Sequence, residues 1–142
     1  MWKTKFSSTI NGSVDKVWEA LITPSLWRKI DPLHYKKVEY GKPTLEVGTK
    51  GKMTVESSQT FAFRVVEADT SKHRTVTESS IPFGKLCITK ELIAKGRIVK
   101  FDEEVTATGP FAKLFAKLFF EKQIKATLPG QHEAIKNYVE NN

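Results

Sequence analysis

From Trp2 to Ile10 the chain alternates, with Trp2, Thr4, Phe6, Ser8 and Ile10 on one side and Lys3, Lys5, Ser7 and Thr9 on the other. A period of two is that of a strand with one buried face, and it predicts a first strand here. Asn11-Gly12 then turns the chain and Ser13 is placed to cap a helix, because Val14, Val17, Trp18 and Leu21 recur at helical spacing up to Thr23-Pro24. Proline is tolerated in the first turn of a helix, where its missing N–H would have had no partner. Pro24 therefore opens a second short helix through Ser25 to Ile30, and Asp31-Pro32 ends it.

From His34 onward the helical period disappears. Turn residues at Gly41-Lys42-Pro43, Gly48, Ser57-Ser58, Asp69-Thr70-Ser71, Pro82-Phe83-Gly84 and Lys95-Gly96 divide strand-like stretches into an antiparallel meander. After Pro110 the helical period returns in Phe111, Leu114, Phe115, Leu118 and Phe119, and continues through Ile124, Leu128, Ile135, Tyr138 and Val139. Pro129-Gly130 falls inside this long helix and predicts a kink or break there, since proline lacks the amide proton and clashes with the preceding turn. The predicted order is one strand, two helices, six strands and a final helix.

Composition adds little to that picture. With 142 residues, 39% hydrophobic and 27% charged, and no linker or low-complexity run, the chain is expected to form one domain over 1–142. Cys87 is the only cysteine, which excludes an internal disulfide. The alternating start is unlike a secretory leader, and no stretch reaches the length of a bilayer-crossing helix, so a cytoplasmic protein with no membrane span is expected. The net charge of +7 comes from scattered lysines without an aromatic-interleaved basic stripe, so nucleic acid is not an expected partner.

Chemistry-bearing motifs are sparse. His34, His73 and His132 are isolated from one another, and no paired ligand spacing exists, which argues against a metal. Neither a Gly-rich phosphate loop nor a Gly-x-Ser-x-Gly elbow is present, so no cofactor and no serine or cysteine nucleophile are predicted.

The stretch Val17-Trp18-Glu19-Ala20-Leu21-Ile22-Thr23-Pro24, followed by Trp27, resembles the opening of the START-like (SRPBCC) helix-grip superfamily in its polyketide cyclase/dehydrase-like branch. Gly96 before a long strand, Gly109-Pro110, and Leu128-Pro129 followed by Ile135 resemble the closing pattern of the same family. The resemblance implies an α+β helix-grip fold: a seven-stranded curved antiparallel sheet wrapped around a long C-terminal helix, with two short helices after the first strand. It further implies a cavity used for lipids, polyketides, hormones or other apolar molecules. Members include carriers, receptors, co-chaperone domains and a few cyclases, so the motifs speak to fold more than to reaction.

Strand faces follow from the turns. A two-residue loop at Lys95-Gly96 sets Ala94 against Arg97, Lys90 against Phe101 and Ile88 against Glu103. Leu86, Ile88, Lys90 and Leu92 then share the inner face with Val99, Phe101, Glu103 and Val105. Likewise Phe61, Phe63, Val65 and Glu67 join Thr75, Thr77, Ser79 and Ile81, with Arg64, Arg74 and Glu78 outside.

The cavity candidates are thus Trp27, Val38, Tyr40 and Met53; Phe61, Phe63, Thr77 and Ser79; Ile88, Lys90, Phe101 and Glu103; and, on the last helix, Phe111, Leu114, Phe115 and Leu118. An apolar stripe on a helix is more commonly plain core, and the family resemblance is what favours a cavity. Lys90 and Glu103 are the two charges sent inward, where a charge is costly unless paired. They are read as a polar anchor for a ligand's carboxylate, hydroxyl or carbonyl, the alternative being a structural ion pair at the sheet rim. His34, with polar flanks, is expected to face solvent.

The expected function is binding, with transport or sensing, of a small hydrophobic, lipid-like or polyketide/aromatic molecule. The alternative is a cyclase or dehydratase in which Glu103 or Lys90 moves a proton. A protein-interaction domain steered by its basic helix surface is a third reading.

Overall fold

A computed structural model describes residues 1–141. The chain forms β1 (Trp2–Asn11), α1 (Val14–Ile22), α2 (Pro24–Ile30), β2 (Tyr35–Tyr40), β3 (Lys50–Val55), β4 (Thr60–Asp69), β5 (Arg74–Ile81), β6 (Gly84–Lys95), β7 (Ile98–Thr108), α3 (Ala112–Phe119) and α4 (Glu121–Glu140). This is the helix-grip arrangement: a curved antiparallel sheet of seven strands in the order β1-β7-β6-β5-β4-β3-β2, with two short helices after β1 and a long helix at the C-terminal end. Helix starts follow the local chemistry. The Ser13 hydroxyl accepts from the Lys16 N–H at 3.2 Å, and Pro24 is the first residue of α2, which ends at Ile30 before Asp31.

Three departures from the sequence pattern matter for the site. The final helical stretch breaks at Phe120, between α3 and α4, while α4 continues without a break through Pro129-Gly130 as one helical segment. Proline removes one N–H from the helix, and Gly130 then supplies what this spot needs. A Cβ there would lie 2.8 Å from the His34 ring, so a bare backbone lets the helix meet the chain entering β2.

The β6–β7 loop consists of Gly96 and Arg97, with Lys95 opposite Ile98, so Gly96 occupies its first position at φ +64°. The register therefore lies two residues from the expected one, which leaves every side chain on its expected face but sets Lys90 directly opposite Glu103. Finally, bulges interrupt β2 between Tyr35 and Lys37 and β4 between Val65 and Glu67. An extra residue exchanges faces beyond the bulge. Glu67, expected inside, points outward and meets Arg74 Nε at 3.1 Å.

Two apolar clusters close opposite ends of the β1–β7 pair. Ile10, Val99 and Phe101 pack with Val17, Trp18, Leu21 and Val139 at one end. Trp2, Val105 and Ala107 pack with Ala112, Ala116 and Leu128 at the other. A third, smaller cluster of Leu45, Phe63 and Val65 lies on the β3–β4 side. The space between these clusters remains open.

Candidate functional site

That space is a cavity of about 530 Å³ between the concave face of the sheet and α4, within the size range of pockets that enclose small organic ligands. The sheet contributes Met53, Val55, Phe61, Phe63, Thr75, Thr77, Ser79, Leu86, Ile88 and Val105. From α4 come Ile124, Thr127, Leu128 and Gln131, with Phe120 at the α3–α4 junction. Exposed lining residues, Glu56 and Ser57 after β3 and Gln123 and Ala126 on α4, mark where it reaches the surface. The wall is mostly apolar, with the hydroxyls of Thr75, Thr77 and Ser79 forming a polar streak along β5.

Apart from Glu56 at the mouth, the charged lining groups gather at one end. Lys90 and Glu103 line the cavity there together with the Tyr35 phenol and the His34 ring, next to Trp27, whose indole N–H donates to the Leu21 carbonyl at 3.2 Å and so fixes the ring. The Lys90 ammonium stands over that ring, 5.8 Å from its centre. Among the described residues no hydrogen bond or ion pair engages this ammonium, and none engages the Tyr35 hydroxyl. A small void of about 20 Å³ adjoins both, bounded also by Asp31 and Gln131, which is room for one water.

Glu103 is held from behind. His132 Nε2 is 3.0 Å from Glu103 Oε1, and Nδ1 is 2.6 Å from the Ser8 hydroxyl. The imidazole is buried flat against Phe101, with ring centres 3.9 Å apart, and meets the edge of Phe6 at 4.7 Å. A carboxylate only accepts, so Nε2–H donates to it. Neither Ser8 nor His132 lines the cavity, which makes the chain Ser8–His132–Glu103 a support for the carboxylate.

Burial alone would raise the Glu103 pKa, but the Lys90 charge and the His132 hydrogen bond together hold it below the usual glutamate value. For Lys90, burial pulls downward and is outweighed by Tyr35, Glu103 and Asp31, which hold it above the usual lysine value. The Tyr35 phenol is itself pushed up, first by burial, so at neutral pH it is uncharged and the two carboxylates stabilise the ammonium. At neutral pH the site thus presents a cation and a neutral O–H donor to an apolar space, with a carboxylate held in place beside them.

A family model described as "Polyketide cyclase / dehydrase and lipid transport" matches residues 1–140. The chain belongs to that family. No curated protein sequence matches it significantly. Among solved structures, this polyketide cyclase/dehydrase-family chain is similar in fold to ginseng major latex-like protein 151 from Panax ginseng, with TM-score 0.77, 13% identity and 97% of each chain covered. It is also similar to norcoclaurine synthase from Thalictrum flavum, with TM-score 0.72, 17% identity, and 97% of this chain and 92% of that one covered. The di-domain ARO/CYC protein BexL from the BE-7585A biosynthetic pathway gives TM-score 0.79 at 12% identity, over 99% of this chain and 47% of its own.

Within this family member, the structure brings Trp27, Met53, Phe61, Phe63, Thr77, Ser79, Ile88, Lys90 and Glu103 to the cavity wall. The other sequence candidates lie elsewhere. Tyr40 stacks on Phe63 and ties the β2–β3 loop through its hydroxyl, which donates to the Thr44 carbonyl at 3.0 Å. Val38 lies opposite Met53 on the edge strand, outside the lining. Phe101 is fully buried behind the cavity, under His132.

On α3, Phe115 packs into the end cluster, whereas Phe111, Leu114 and Leu118 point away from the cavity into solvent. His34, expected in solvent, is nearly buried and lines the wall, its Nδ1 lying 2.8 Å from the Asp31 carboxylate. Sequence reasoning passed over Tyr35, Ser8 and His132. The signal for His132 was present, since it lies four residues after Leu128 and three before Ile135 on the apolar stripe. Tyr35 was masked by the bulge beside it.

Proposed function

We propose that the protein binds a small, mainly apolar molecule in this cavity and orients it by an anionic or carbonyl oxygen placed at Lys90 and Tyr35. The observation that carries this reading is a lysine ammonium over the Trp27 ring and beside Glu103 that, among the described residues, makes no hydrogen bond or ion pair, at one end of an apolar space of about 530 Å³. An ammonium that faces an apolar space without a hydrogen-bond acceptor is costly, and a ligand oxygen would supply the missing acceptor. The family description, which includes lipid transport, and the polar streak of β5 support the same assignment.

Laurate and dodecanol, chains of equal length with and without a carboxylate, test the anchor. The protein should prefer laurate by about tenfold or more, since a hydrogen bond to a charged group contributes ~1.5–3 kcal/mol. Lys90→Met should erase that preference while keeping dodecanol binding. A preference unchanged in the variant would sink the anchor. Native mass spectrometry of the purified protein should show a co-purifying apolar species; bare protein that takes up neither probe would count against binding altogether.

A second reading, catalysis of a cyclisation or dehydration, is favoured by one observation: an ammonium, an uncharged phenol and a carboxylate converge on the same end of the cavity. The first two could stabilise an enolate oxygen while Glu103 exchanges a proton with the adjacent carbon. A poly-β-keto thioester should then be converted to a cyclised or dehydrated product, and Lys90→Met should slow conversion. Recovery of the thioester at the rate seen without protein excludes this reading.

A further inference from the structure

Helix α3 faces the opposite way from what burial of its own side chains would favour. Its small residues, Ala112 and Ala116, are 2% and 0% exposed and pack with Trp2, Val105 and Ala107. Of its large ones only Phe115 packs inward; Leu114, Leu118 and Phe119 are 58%, 67% and 64% exposed, and Phe111 just before the helix is 69% exposed. Phe83, at the tip between β5 and β6, is 65% exposed and sets its ring edge-on to Phe111, with centres 6.1 Å apart.

The backbone holds these two rings together. Phe83 and Phe111 both have left-handed backbone, at φ 67° and 62°, a conformation uncommon for an aromatic residue. Gly84 and Gly109 let the hairpin tip press against the chain entering α3: a Cβ on Gly84 would overlap the Thr108 carbonyl, and one on Gly109 would overlap the Phe83 carbonyl.

The charge along this stretch of chain is mostly of one sign. Between Thr108 and Leu128 the chain carries Lys113, Lys117, Lys122 and Lys125 against a single acid, Glu121. That acid is already engaged, by the Trp2 indole N–H at 3.3 Å and by Lys125 at 3.2 Å. At 100° per residue, Lys113 and Lys117 form a row directly beside the Leu114–Leu118 row. Large apolar side chains flanked by lysines are the pattern of a helix lying in a lipid interface, where the apolar row enters the headgroup boundary and the cations meet anionic lipid.

We propose that α3 and the β5–β6 tip form a membrane-docking face, inserting Phe83, Phe111, Leu114 and Leu118 into a bilayer that contains anionic lipid. Docking stands on this surface alone. Phe120, which follows α3 on the buried row of Ala112 and Ala116, lines the cavity, so the side of this segment opposite the docking face leads into the cavity wall. Uptake of a ligand from the docked bilayer rests in addition on the binding function proposed above.

Co-sedimentation of the whole protein with phosphatidylcholine vesicles, with and without phosphatidylserine, tests the proposal. The protein should pellet with the phosphatidylserine-containing vesicles and far less with phosphatidylcholine alone. Leu114→Glu and Leu118→Glu should each lower that affinity by at least about tenfold. Lys113→Gln with Lys117→Gln should lower it on the order of thirtyfold on the anionic vesicles only. All four positions are exposed, so unchanged thermal melting is expected and checks that the variants are folded.

Absence of pelleting with either vesicle overturns the proposal, as does equal pelleting of the wild type and both sets of variants. So does an oligomer in solution that Leu118→Glu dissolves while no vesicle is bound, which would make the face a contact between copies. Vesicle binding that persists although laurate and dodecanol fail to enter the protein would refute the cavity reading and leave docking intact.

Discussion

Glu103 stays ionised inside the protein because two neighbours oppose the cost of its burial, and this has a consequence for pH. Its folded pKa is depressed, so it contributes stability that is present above the ordinary glutamate range and is lost as pH falls through the folded value. Lys90 is raised, so its contribution is complete below the ordinary lysine range and is lost as pH rises through the folded value. Urea unfolding across pH should show a neutral plateau with an acid and an alkaline limb. His132→Phe keeps the stacking on Phe101 but leaves Glu103 and Ser8 without their partner, and should cost about 1–3 kcal/mol at neutral pH. It should also begin the acid limb at higher pH, and an unmoved limb would show that His132 does not support the carboxylate. The inward facing of Lys90 and Glu103 was legible in the sequence because alternation survives a two-residue register error. Their direct opposition was not, since it depends on whether Gly96 stands first or second in its loop. His132 was legible only as one apolar-face position on a helix, without any hint of the glutamate across from it.

At the scale of elements, α3 shows what a periodic pattern leaves open. Phe111 to Phe119 repeat at helical spacing whichever side meets the protein, and only the fit of Ala112 and Ala116 against the sheet decides the matter. Ala116 is fully buried, so Ala116→Leu should overpack that contact and destabilise the protein by about 1–3 kcal/mol in thermal or urea unfolding. Leu118→Ala, on the exposed side, should change stability by less than about 0.5 kcal/mol. Comparable effects from both substitutions would mean that α3 is turned the other way. The element order, the Ser13 cap and the Pro24 start were readable because each depends on residues adjacent in the chain. The bulges in β2 and β4 and the passage of α4 through Pro129 depend on what the strand or helix packs against, which no local window contains.

For the molecule as a whole, the open space between the clusters is an interior that its own side chains leave unfilled. Lining a cavity with apolar groups that touch nothing forfeits dispersion contacts, so an occupant should raise thermal stability in step with its affinity. Thr77→Phe, on the cavity wall, should therefore weaken laurate binding at least tenfold while leaving the melting temperature of the free protein unchanged or higher. A lower melting temperature would show that no space is available at that position. The sheet order carries a different consequence. Strands β2 to β7 pair each with the next in sequence, so that part of the sheet is assembled from hairpins. Strand β1 instead pairs with β7, Trp2 opposite Ala107, and must wait until Thr108 has been made before its partner strand is complete. Long-range pairing of this kind is slow. During synthesis the pairing edge of β1 stays open until β7 has emerged, so the interval between making the first strand and the seventh is when this chain is most open to misassembly.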